Sequence, residues 1–261
     1  MYLINTFLCL LALSYGSFIG SFIIRFPEMI DKKSEVTIYS PRSSCQECRK
    51  TLNVYMLIPL ISYIYQKGKC SLCKQPINRF YFINELFHLL LMILIVGFIP
   101  ITGDFFKEVA LVILFFLIIS SLYAQFIIDF KYLSLSIYLS LKLIILGILL
   151  NLFFEFFTGL NSSIIGAIIG YLSLYFLNKL FYFFSKKEGI GGGDFILLAS
   201  AGALFGYQML SFVVLLGSLI SLLIYLFKKS DYKGKVPFGS GIALASFFII
   251  IIQITLLKSI L

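Results

Sequence analysis

The stretch YLINTFLCLLALSYGSFIGSFII, residues 2–24, carries no charged side chain, and neither Lys nor Arg precedes Arg25. As an α-helix it would be about 35 Å long, enough to cross the ~30 Å hydrocarbon core of a bilayer. A secretory leader places its positive charge ahead of the apolar run. This segment is therefore expected to be a retained first span with its N-terminus outside. Apolar stretches recur at 81–100, 108–128, 133–154, 163–184, 194–209, 210–228 and 238–257. Only Gly202, Gly206 and Gln208 mark the boundary between 194–209 and 210–228. The expected fold is an all-α polytopic membrane protein with about eight transmembrane helices.

Composition supports this reading. Of 261 residues, 60% are hydrophobic and 13% charged, and the mean hydropathy is +1.02. A soluble domain carries about a quarter charged residues, so a large separate soluble domain is excluded. The net charge of +9 is distributed unevenly. With an external N-terminus the internal segments are 25–80, 129–132, 185–193 and 228–236, and they hold 17 of the 21 Lys and Arg. The positive-inside rule favours this orientation over its inverse. The basic residues thus serve topology; membrane lipid is an expected partner and nucleic acid is not. The division expected along the chain is a first transmembrane helix over 1–24, a cytoplasmic region over 25–80, and transmembrane helices over 81–261. Within the second of these, residues 56–65 are apolar but too short to span, and are expected to rest on the inner membrane surface.

The cytoplasmic region contains Cys45-Gln46-Glu47-Cys48 and Cys70-Ser71-Leu72-Cys73. Two Cys-x-x-Cys turns place four thiolates around one metal, and four cysteines make a closed, structural zinc set. Redox or disulfide use is the alternative, which a reducing cytoplasm disfavours.

Charged groups at the ends of spans are costly and often functional. Asp129 stands at the inner end of the third span, and Asp194 at the inner start of the sixth, after Gly189-Ile190-Gly191-Gly192-Gly193. Both are expected at one membrane face. Two carboxylates held close can share one proton. The ionised member then draws a proton from water while the protonated one polarises the scissile carbonyl. Gly191 and Gly193 would let a peptide backbone approach closely. Taken singly, either acid could instead be interfacial, and Asp194 could cap its helix. His88 is expected to pack between helices, whereas Glu85 reads either as a helix-start acid or as a functional one.

In this order the motifs resemble those of the bacterial type IV prepilin leader peptidases, also called leader peptidase/N-methyltransferases. The resemblance rests on Gly16-Ser17-Phe18 through Arg25-Phe26-Pro27, the two cysteine pairs flanking Leu57-Ile58-Pro59-Leu60, Gly68-Lys69-Cys70, Gly191-Gly192-Gly193-Asp194, and Val236-Pro237-Phe238-Gly239. It implies an integral aspartyl endopeptidase of the bacterial inner membrane, with Asp129 and Asp194 as catalytic acids at the cytoplasmic face. It further implies type IV prepilin or pseudopilin precursors as substrates, cut after the leader glycine, and methylation of the new N-terminus from S-adenosylmethionine. The cofactor site stays unassigned, with Gly68 and Glu85 as candidates. The family's Leu-Pro-Asp after the first acid is replaced by Leu135-Ser136-Ile137, and Ile196 stands where a Lys often follows the second. The competing readings are a peptidase without methyl transfer, a non-enzymatic zinc-containing membrane assembly protein, and a proton-carrying transporter.

Overall fold

The computed structural model describes residues 2–31, 36–37, 40, 42–99, 103–187, 189–228 and 234–260, with the side chains of residues 2 and 256–260 left aside. Glu188 and the basic residues Lys32, Lys33, Lys229 and Lys233 lie outside the described set. The helices are α1 (Tyr2–Ile30), α2 (Ile61–Tyr65), α3 (Arg79–Phe98), α4 (Phe105–Tyr132), α5 (Ile137–Phe154), α6 (Leu160–Ser185), α7 (Gly192–Phe205), α8 (Leu210–Phe227) and α9 (Phe238–Ile260). Each of the eight expected apolar segments contains a helix, although residues 133–136 form a turn ahead of α5 and residue 100 lies outside the described residues. Seven are long and apolar enough to cross a membrane, whereas α7 has only 14 residues. The chain divides within α4 into two compact units, Met1–Val112 and Ile113–Leu261.

In the first unit α1 packs on α3, and Gly16 and Gly20 make the close approach possible. A Cβ at Gly16 would lie 2.8 Å from the Cβ of His88, and one at Gly20 would lie 3.0 Å from the amide of Asn84. Small residues four apart let two helix backbones meet in this way. Asn84 donates to the Gly16 carbonyl, and the ring of His88 bonds the Asn84 carbonyl at 2.7 Å. His88 is therefore a packing residue, as its apolar surroundings in sequence suggest. The first helix runs six residues past the expected end at 24. Pro27 lacks the N–H that would bond the Ile23 carbonyl, yet the helix continues past it, and Phe22, Ile23 and Phe26 just ahead of or beside it are buried.

The second unit is built around α7. From Leu197 to Phe205 every residue of this helix is buried. A short helix that ends inside protein must satisfy its last carbonyls locally. The Asn151 amide of α5 donates to Ala203 and Leu204 at 3.0 and 2.8 Å, and Ser163 of α6 also donates to Ala203. Gly166 and Gly170 of α6 lie against Gly202 and Leu198 of α7 so closely that a Cβ at Gly170 would sit 2.7 Å from the Leu198 carbonyl oxygen. Gly206, at φ +78°, ends the helix and redirects the chain into α8. Gly217 and Gly241 make the corresponding contact between α8 and α9.

Candidate active site

Asp129 lies in the last turn of α4, where the sequence placed it, with 5% of its surface exposed. Its Oδ2 accepts two hydrogen bonds from Ser240 at the start of α9, one from the backbone N–H at 2.6 Å and one from the hydroxyl at 2.9 Å. Oδ1 takes no part in these two bonds. Asp194 is the third residue of α7 and only partly buried. Gly191, not Asp194, occupies the N-cap position. Asp194, at the third helical position, still serves the helix start: its carboxylate accepts a hydrogen bond from the Gly191 backbone N–H, and its own backbone N–H bonds the Gly191 carbonyl at 3.0 Å. The two carboxylates are close enough for the charge of Asp129 to act on Asp194.

The glycines contribute in unequal ways. A Cβ at Gly193 would sit 2.9 Å from the Cβ of Leu135, and one at Gly239 would sit 2.7 Å from a terminal methyl of the same leucine. Leu135, in the α4–α5 turn, is thus clamped between the starts of α7 and α9. That clamp sets the spacing of the elements bearing Asp194 and Ser240. Gly191 borders the Asp194 carboxylate, with a would-be Cβ 3.2 Å from Oδ2. Gly192 meets nothing within 4 Å. The turn itself is tied down by Gln125, one helical turn before Asp129. Its amide accepts from the Ser136 N–H at 3.0 Å and donates to the Ser136 carbonyl and Ser140 hydroxyl at 2.8 and 2.7 Å.

Ser240 and Gln125 escaped the sequence reading. Ser240 follows Val236-Pro237-Phe238-Gly239 directly, but 111 residues separate it from Asp129 and nothing local pairs them. Gln125 carried one signal, an amide in an apolar span four residues before the acid. Ile137, which replaces the family's additional acid, is 54% exposed and takes no part in the site.

In the first unit the four cysteines come together, with all four Sγ atoms within 4.8 Å of one another. The two knuckles are built alike. Cys45 accepts from Arg49 and donates to Lys50, while Cys70 accepts from Lys74 and donates to Gln75. Arg49 and Lys74, each just after the second cysteine of its pair, take φ of 54° and 62°. Cys45 and Cys73 lie 3.8 Å apart, and all four are free thiols. This cluster has the ligand number and spacing to hold a metal ion. Tetrahedral zinc with bonds of about 2.3 Å separates its sulfurs by about 3.8 Å.

A cavity of about 760 Å³ lies beside the cysteine cluster, between α1, the cysteine-bearing loop and the start of α3. Arg25, Arg79, Tyr63, Tyr81 and the hydroxyls of Ser17 and Ser62 are part of its wall. Glu85 also lines it, but Gly68 does not. Gly68, at φ +69° and close against Tyr63, has a backbone reason for being glycine. Glu85 lies in the second turn of α3, and the helix is capped instead by Asn78. The Glu85 carboxylate accepts the Leu60 N–H at 2.7 Å, so its role is not that of a helix-start acid.

Comparisons with known proteins agree across the chain. Residues 10–98 match the family model for the bacterial peptidase A24 N-terminal domain, and residues 111–226 match that for the type IV leader peptidase family. The chain is 32% identical over 257 residues to a prepilin leader peptidase/N-methyltransferase of Pectobacterium carotovorum subsp. carotovorum, covering 91% of this chain and 89% of that protein. A protein of the same name from Pseudomonas aeruginosa is 32% identical over 90% of this chain and 86% of its own length. One from Dichelobacter nodosus is 34% identical over 92% and 88% respectively. No solved structure matches the chain significantly.

Proposed function

Because this chain belongs to the type IV leader peptidase family, we propose that it hydrolyses the bond after the leader glycine of prepilin-like precursors and methylates the amine so released. The observation that carries the peptidase reading is the pairing of Asp129 with Asp194 at one end of the second unit, supported by Ser240. Water held between the carboxylates gives a proton to the ionised acid as its oxygen attacks the scissile carbonyl, which the protonated acid polarises. The proton is then delivered to the departing amide nitrogen, and the dyad returns to its starting state. Oδ2 of Asp129, held by two donors, orients that carboxylate so that Oδ1 addresses the water. Hydrolysis by this route assigns no step to a metal.

The division proposed along the chain is a first span over 1–24, a cytoplasmic cysteine-bearing region over 25–80, and the peptidase helices over 81–261. The N-terminus is proposed to lie outside the bacterial inner membrane and the dyad at the cytoplasmic face; the concentration of Lys and Arg supports that orientation. Cys45, Cys48, Cys70 and Cys73 would hold zinc as a structural ion, since four thiolates leave no open position. For the methyl donor, S-adenosylmethionine, the first-unit cavity is a suitable home. Its volume lies within the range of cofactor sites, its arginines suit a carboxylate, and its tyrosines suit a base. When bound, the donor supplies an electrophilic sulfonium methyl; the protein supplies placement.

The test is incubation of the detergent-purified protein with a prepilin and S-adenosylmethionine, followed by mass measurement of both products. Cleavage after the leader glycine and a mature chain heavier by one methylene are expected. An intact precursor would overturn the peptidase reading, and an unmethylated product would reduce the protein to a peptidase.

A further inference from the structure

Glu85 is 6% exposed, and its carboxylate lines the first-unit cavity. It accepts the Leu60 N–H and is hydrogen bonded by Ser17, but no Lys or Arg among the described residues stands within ion-pair distance. An uncompensated buried carboxylate is expensive. A structural anchor for Leu60 does not need the charge, because a neutral amide or hydroxyl oxygen would accept that N–H equally. What the charge adds is attraction for a cation inside the cavity, and the surrounding Ser17 and Ser62 hydroxyls offer further acceptors. A primary ammonium, with three N–H donors, matches one carboxylate flanked by hydroxyls.

We infer that Glu85 is the counter-ion of a primary ammonium bound in this cavity. Resting on the function proposed above, that ammonium is the new α-amine of the cleaved chain. An ammonium has no lone pair, so it must shed a proton before it can be methylated. Glu85 takes that proton, leaving a neutral amine. The nitrogen lone pair then forms the N–CH3 bond as the C–S bond breaks, and the electron pair of that bond remains on sulfur. The product is a secondary ammonium and a neutral thioether, and Glu85 returns its proton to water. A second ligand could offer the same chemistry, since the methyl donor carries an α-ammonium of its own.

The experiment compares binding, by fluorescence anisotropy, of a labelled apolar peptide with a free N-terminus and of its N-acetylated twin. It uses the full-length wild-type protein, Glu85→Gln and Glu85→Asp. A parallel arm compares S-adenosylhomocysteine with its analogue lacking the amino group. Wild type should prefer the free amine in one arm by about tenfold or more, the scale of a charge-assisted contact. Glu85→Gln should lose the preference while keeping metal content and melting temperature, because its amide oxygen still accepts from Leu60. Glu85→Asp should retain part of it. Preference in the peptide arm assigns the ammonium to the cleaved chain, and preference in the other assigns it to the methyl donor. Absence of discrimination by wild type, or its persistence in Glu85→Gln, overturns the inference. Cleavage and methylation by the same wild-type preparation are measured alongside. If these fail, the functional reading falls; if they succeed without Glu85-dependent discrimination, only the role of Glu85 falls.

Discussion

Replacing Gly239 with alanine should damage the site through a residue that carries no chemistry. The added methyl would meet three atoms of Leu135 at 2.7, 2.8 and 3.0 Å, where ordinary contact begins at 3.4 Å. A leucine tip can often swing aside, but here the Cβ of the same side chain is already against Gly193. The displacement, at least about 0.7 Å at the closest atom, must pass either to the start of α9 with Ser240 or to the start of α7 with Asp194. Overpacking of this kind costs about 1–3 kcal/mol in stability, and misplacing reacting groups by about 1 Å costs on the order of 10²-fold in rate. Single-turnover cleavage of a prepilin by purified Gly239→Ala is therefore expected to fall by about ten- to a hundredfold. Leu135→Ala alone should change the rate only a few-fold. Combined with Gly239→Ala it should restore most of the loss, giving a coupling of about 1–2 kcal/mol. A near-normal rate for Gly239→Ala, or a double variant as slow as that single one, would refute the clamp.

The remaining expectations concern chemistry, metal and packing. Asp129→Asn and Asp194→Asn should each slow cleavage by at least about 10²-fold while still inserting into membranes; appreciable turnover by either purified variant would remove that acid from the dyad. Ser240→Ala deletes one of two bonds to Asp129 and leaves the backbone N–H in place. A loss of roughly tenfold, milder than for Asp129→Asn, should appear in the single-turnover rate, and an unchanged rate would deny Ser240 its part. Cys45→Ser or Cys73→Ser should lower the bound zinc and destabilise the first unit. Elemental analysis finding no metal in carefully prepared native protein would count against a structural ion. Asn151→Leu removes the side-chain partner of the Leu204 carbonyl and of the Phe157 and Thr158 N–H groups, while Ser163 still serves Ala203, so the second unit should lose about 1–3 kcal/mol for each group left unpaired; an unaltered thermal unfolding curve would contradict this account of how α7 ends.

How much of this was legible in the chain follows from the range of the forces involved. Runs of about 20 apolar residues can satisfy their backbone in lipid only as helices, so the helical segments and the all-α class were readable from residue order. The knuckles were also legible, because Cys-x-x-Cys fixes two ligands locally and two pairs complete one set. Periodicity and charge placed Asp129 and Asp194 at ends of their segments, and counting segments put both ends at one face. Tertiary structure alone decided which partners reach them. Ser240 comes to Asp129 from another helix, Leu135 acquires its seat only when α7 and α9 close on it, and Gln125 becomes a clasp only once the α4–α5 turn has formed. The short length of α7 was likewise hidden, because Asn151 and Ser163 satisfy its end from distant parts of the chain. Glu85 shows the same division. Its sequence position suggested a helix-start acid, but the Leu60 N–H and an enclosing cavity give its carboxylate a different environment. Hydropathy and ligand spacing act along the chain and are written in it, whereas close packing and buried hydrogen bonds depend on segments that meet only after folding.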